Sequence, residues 1–143
     1  MDLRANSLVN AEGSLKVRDG LTAHVESALD NQQGEILGAT TTLTGASLDN
    51  SHGLIQGDKL LTLNHSGAVS NRNGRLVTGQ ALNLTTASLD NTQGTLTSDG
   101  TLNALISGQL LNQAGLLAAS SQLQLTAASL DNQPKAVSAA RAT

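Results

Sequence analysis

The chain contains no phenylalanine, tyrosine, tryptophan or cysteine, and a single proline. Aromatic rings bury ~150–250 Å² each and normally fill the wide interior of a compact globule. Here the core must come from aliphatic side chains within a hydrophobic share of 38% over 143 residues, which suits a narrow interior. The lack of cysteine excludes a disulfide framework and thiolate metal sites, and is compatible with export through an oxidising compartment. Charge is also sparse: charged residues are 13% of the chain, the formal net charge is -3, and the basic residues are scattered. That leaves no electrostatic footprint for nucleic acid or an anionic membrane. No run of about 18 apolar residues offers a membrane span, and Met1-Asp2-Leu3-Arg4 lacks the apolar stretch of a signal peptide. A secreted parent would carry its signal elsewhere, and a repeat already running by Ser7 suggests a segment excised from a longer array.

What the chain does have is periodicity. The segments SLVNAEG, ALDNQQG, SLDNSHG, AVSNRNG, SLDNTQG, QLLNQAG and SLDNQPK are copies of one heptapeptide. Its asparagine recurs at Asn10, Asn31, Asn50, Asn71, Asn91, Asn112 and Asn132, at spacings of 21, 19, 21, 20, 21 and 20 residues. A glycine follows at Gly13, Gly34, Gly53, Gly74, Gly94 and Gly115. Aliphatic residues keep the same register. Leu8, Leu29, Leu48, Val69, Leu89, Leu110 and Leu130 stand two before each asparagine, and Leu15, Ile36, Ile55, Leu76, Leu96 and Leu117 two after each glycine. A third column holds Leu21, Leu43, Leu61, Leu82, Leu102 and Leu123, with Leu43 displaced by one position. Ala23, Leu63, Leu84, Ala104 and Leu125 continue that face by alternation.

Period-two alternation between turn residues reads as three short strands per repeat. No stretch sustains the i, i+3, i+4, i+7 pattern of a helix. A 20-residue unit of this kind cannot bury its own apolar face, whereas stacked copies can. The expected fold is therefore all-β: a parallel β-helix, or β-solenoid, of about six coils, roughly 30 Å long at the ~4.8 Å spacing between strands. Variation in repeat length should fall in the turns, since an insertion inside a strand reverses every later side chain. Small residues four before each asparagine (Ser27, Ala46, Gly67, Ala87, Gly108, Ala128) suit a corner. The glycine is expected to supply a positive φ. The asparagine either does the same or forms an amide ladder between coils. Residues 1–6 read as a partial coil or an added start, 7–133 as the solenoid, and 134–143 as an irregular tail.

The pattern LDNxxGxLx(5)LxL, recurring over residues 7 to about 133, resembles the haemagglutinin repeats of filamentous haemagglutinin and related two-partner-secretion exoproteins, including contact-dependent growth-inhibition exoproteins. The resemblance implies a right-handed parallel β-helix, export through a dedicated outer-membrane transporter, and display as a fibre on a Gram-negative cell. Such a fibre serves as an adhesin or as a stalk presenting a receptor-binding or toxin region. Its implied partners are neighbouring coils, the transporter and a cell-surface receptor or glycan, with end-to-end self-association expected of uncapped coils.

No enzyme or cofactor chemistry is read from the chain. A carbohydrate-active β-helix is the rival, and it needs clustered acids on one face. Asp30 and Asp49 would stack on adjacent coils, but Ser70 and Leu111 interrupt the column that Asp90 and Asp131 continue. His24, His52 and His65 occupy different repeat offsets, so no zinc ligand set is read from them. Lys59, Arg72 and Arg75 are the nearest approach to a basic patch and the candidate contact for a sulfated glycan.

Overall fold

The computed structural model describes residues 1–134 and 136–139, and these form a β-solenoid without a helix. Each coil begins with a short strand centred on the heptapeptide leucine. These strands, Leu8–Val9, Ala28–Asp30, Ser47–Asp49, Ala68–Ser70, Ser88–Asp90, Gln109–Leu111 and Ser129–Asp131, stack in parallel as a seven-stranded sheet. After the turn the chain enters a second strand and then a third, as in Arg75–Thr78 and Ala81–Thr86, or Thr95–Ser98 and Thr101–Ile106. In two coils the second and third strands run together as Glu35–Gly45 and Leu54–His65. Those two long strands join everything outside the first sheet into one parallel twelve-stranded sheet. Asp2–Ala5 pairs with Gly20–Val25 and so stands as the third strand of a preceding coil.

Like packs on like because the rungs are in register. Leu89 lies between Val69 and Leu110, and Leu76 between Ile55 and Leu96. The side chains of Leu29, Ile36, Leu61, Leu76, Leu82, Leu89, Leu96 and Leu110 are buried in one continuous core. Each buried leucine or isoleucine contributes about 1.5–3 kcal/mol relative to exposure, and no ring is needed to span the gap between the sheets.

Part of the length variation falls at the corners, as expected, and part falls inside a strand. The link between the third strand and the next first strand holds two residues at Glu26-Ser27 and Ser66-Gly67 but one at Ala46 and Ala87. A second adjustment lies between Gly38 and Thr40, where Ala39 faces the two residues Asp58 and Lys59 of the next coil. That missing residue corrects the third column. Leu43 is not a displaced member of it: Thr41 pairs with Leu21 and Leu61, while Leu43 joins Ala23 and Leu63 in the fourth column. Thr41 is fully buried, and its hydroxyl donates to the carbonyl of Gln56 at 3.1 Å. Within 134–143, expected to be irregular, Ala136–Ala139 pairs with Leu116–Ala119. Residues 135 and 140–143 of that stretch lie outside the described residues.

Candidate functional site

The most repeated chemistry in the molecule is the corner after the first strand. Asn31, Asn50, Asn71, Asn91 and Asn112 are fully buried there. Each amide nitrogen donates to the Oδ1 of the asparagine one coil on: Asn10 to Asn31 at 2.7 Å, Asn31 to Asn50 at 2.7 Å, Asn50 to Asn71 at 2.8 Å, Asn71 to Asn91 at 2.7 Å, Asn91 to Asn112 at 2.7 Å and Asn112 to Asn132 at 2.6 Å. The same nitrogen reaches the carbonyl of the residue after the glycine in the next coil, as Asn71 does to Thr95 at 3.1 Å. A buried primary amide needs partners for both donors and its acceptor, and stacking identical coils supplies them. The ladder has one polarity, every amide-to-amide hydrogen bond running from the earlier coil to the later one, while the same nitrogens also reach the glycine carbonyl of their own turn, as Asn31 does to Gly34 at 3.3 Å.

The glycine works differently from the sequence expectation. No glycine has a positive φ; the residue before it does, at Glu12, Gln33, His52, Asn73, Gln93 and Ala114, with φ between 53° and 58°. The turn closes when the glycine N–H donates to the asparagine carbonyl, as from Gly74 to Asn71 at 3.1 Å. What demands glycine is space. A Cβ on Gly74 would stand 2.5 Å from Asn71 Oδ1 and collide with the carbonyl oxygen of Asn50 in the coil before. The same clash with the preceding asparagine carbonyl recurs at Gly34, Gly53, Gly94 and Gly115.

The outward acids of the first sheet face a shallow groove of about 660 Å³. Asp30 and Asp49 do occupy consecutive rungs. Each carboxylate, however, accepts the backbone N–H two residues on: Gln32 to Asp30 and Ser51 to Asp49, both at 2.9 Å. Asp90 does the same for Thr92 and also binds the Arg72 guanidinium at 2.5 Å. Partial burial pushes the Asp90 carboxyl up, but the hydrogen bonds from Thr92 and Arg72 outweigh it and hold the group below the usual range. These are turn-stabilising roles. Among the described residues no three histidines or acids converge to hold a metal.

Lys59, Arg72 and Arg75 are not brought together. Arg72 borders the first-sheet groove and is paired with Asp90. Arg75 lies beside His52 and Asn73 on the row of turns, and its rung partner is Leu54. Lys59 lies five residues further along, at the next corner. The histidines are equally dispersed: His24 Nδ1 meets Thr44 Oγ1 at 2.9 Å, His52 sits at a turn tip, and His65 is buried.

Sequence reading missed a fifth interior column, Val25, Gly45, His65, Thr86 and Ile106, which closes the third strand. Its signal was the continuation of period two beyond Ala23, Leu63 and Leu84. It was obscured because only two members are large and aliphatic.

In-register parallel coils joined by a directional amide ladder define a repeat protein, a β-solenoid. The chain belongs to the haemagglutinin repeat family, whose sequence model matches residues 2–73, 58–114 and 103–142. No curated protein and no solved structure matches the chain.

Proposed function

We propose that this segment is a length of shaft in a secreted bacterial surface filament, setting the distance between the cell and a distal receptor-binding or toxin region. The observation that supports this is the continuity of the asparagine ladder and leucine columns from coil to coil. A repeat whose coils contact only their neighbours can be lengthened without altering any one coil. Membership of the haemagglutinin repeat family supports display on a cell surface, export by two-partner secretion and neighbouring coils at either end as the principal partners. Adhesion or growth inhibition belongs, on this reading, to the filament as a whole.

The test is made in a parent filament on its own cells. Removing this segment in frame should bring a distal epitope about 4.8 Å closer to the surface per coil deleted, with the distal region still binding its target. The purified chain should bind neither target cells nor immobilised sulfated glycans. Binding by the purified chain, lost in a Lys59, Arg72 and Arg75 triple alanine variant, would instead make the segment itself an adhesive surface.

A further inference from the structure

In the fifth column His65 occupies a position filled elsewhere by Val25, Gly45, Thr86 and Ile106. It ends the strand Leu54–His65, is 1% exposed, and neither ring nitrogen has a hydrogen-bond partner. In the coil before, Gly45 stands against the ring: a Cβ there would lie 3.5 Å from His65 Nδ1, in ordinary van der Waals contact, and 2.6 Å from the Val25 carbonyl oxygen. On the other side the Thr86 hydroxyl donates to the carbonyls of Gly67 at 2.6 Å and Ser88 at 3.1 Å, so its proton is committed away from the ring.

Among the described residues no charged group stands within hydrogen-bond reach of the imidazole, and Glu26, which borders the same outer groove as Gly45, is exposed. Glu35 stands at the far end of Glu35–Gly45, and Ala81–Thr86 carries no titratable residue. Asp58 and Lys59 lie mid-way along its own strand, both exposed, and Ala68–Ser70 carries no charge. The Asp49 carboxylate caps its own turn on the outward side of the first sheet. An imidazolium formed here would therefore be a buried cation with no protein acceptor or counter-ion in hydrogen-bond reach.

We propose that His65 makes the junction between its coil and the two that sandwich it an acid-labile joint, the place where the solenoid opens first when the pH falls. The reading is independent of the shaft function, since it concerns the coils alone. Burial pushes the His65 imidazole from its usual 6.5 down to about 4. Between those values the opened state binds a proton that the closed state excludes. Stability is intact above pH 6.5 and falls as the pH drops towards 4, so the opening equilibrium should grow about tenfold per pH unit over that window.

The experiment uses the full chain with His24→Gln and His52→Gln, leaving His65 as the sole imidazole, and a matched chain carrying His65→Leu in addition. Urea unfolding and amide exchange are followed from pH 7.5 to 4.5. The exposed carboxylates titrate in both chains, so the difference in slope reads His65. The parent should lose stability more steeply by about tenfold per unit, with exchange rising first around residues 63–67 and 84–87. A second replacement, His65→Thr, copies the residue at position 86 and serves if leucine does not fold. Equal slopes in the parent and the folded replacement, exchange that starts at the chain ends, or a folded-state imidazole titrating near 6.5 would each overturn the proposal.

Discussion

The side-chain amide of Asn71 donates to Oδ1 of Asn91 at 2.7 Å, joining residues 20 apart in sequence but adjacent across one coil. Asn71 also accepts from Asn50 and donates to the Thr95 carbonyl. Asn71→Ala therefore strands buried groups on both neighbouring coils. Each unsatisfied buried group costs ~1–3 kcal/mol, so the expected loss is about 2–5 kcal/mol in urea unfolding. Asn10→Ala, in a half-buried end position with a partner on one side, should cost less than half as much. Equal losses would show that the ladder does not carry the stability.

The turn offers a sharper comparison, because two adjacent residues exchange their expected roles. Ala114 has a φ of 53° and Gly115 does not have a positive φ. Ala114→Gly removes the left-handed penalty of ~1–2 kcal/mol for a side chain, and offsets it by greater freedom in the unfolded chain. The net change should lie between zero and about 1 kcal/mol of stabilisation. Gly115→Ala places a methyl group against the Asn91 carbonyl and Asn112 Oδ1. It should destabilise the chain by several kcal/mol, at the upper end of single substitutions. Thermal melts of the pair decide between glycine as a φ device and glycine as a spacer.

Position along a column should matter as much as chemistry. Leu89 is buried between coils whereas Leu130, the last member of the same column, is 49% exposed. Leu89→Asp buries an unpaired carboxylate and is expected to abolish cooperative unfolding. Leu130→Asp should lower the melting temperature by only a few degrees, as should Thr85→Lys on the outer face. A folded, cooperative Leu89→Asp variant would contradict the assignment of Leu89 to the interior.

The period, the coil number and most of the core were legible in the sequence because a solenoid repeats its environment, so each coil reads the next. Leu89 and Leu76 could be placed without coordinates for that reason. Reading faltered where repetition is broken. The residue missing beside Ala39 shifted the count that assigned Leu43, and Thr41 took the buried place instead. The asparagine ladder remained one of two choices because a fixed spacing does not reveal which way an amide points. The glycine's role was misassigned because glycine is used for two physical reasons, left-handed φ and close approach, and the sequence pattern is the same for both. His65 went unnoticed as an interior residue because an imidazole does not mark an aliphatic column. Its burial is visible only once Val25 and Thr86 are set on its column.

Coils that contact only their neighbours should be removable in whole numbers. Deleting residues 72–91 joins Asn71 to Thr92, recreating the natural Asn91-Thr92 step. Thr95–Ser98 then stacks on Leu54–Gly57 as Arg75–Thr78 did, since both pair in the same register. The Asn50 amide meets Asn71 as before, Asn71 meets Asn112, and Ile106 follows His65 in the fifth column. The cost should be about one inter-coil interface, leaving β-type circular dichroism and a cooperative melt. Deleting residues 72–81 removes half a coil instead. It sets Leu82 in the turn position that demands a polar tip, and takes away the strand Arg75–Thr78 that joins Leu54–His65 to Thr95–Ser98. The coils on either side then lack a common register, and the melt should split in two or vanish. A core of unique contacts would suffer alike from both deletions, so equal damage would refute coil-by-coil stacking as the source of stability, and with it the interchangeability that a spacer requires.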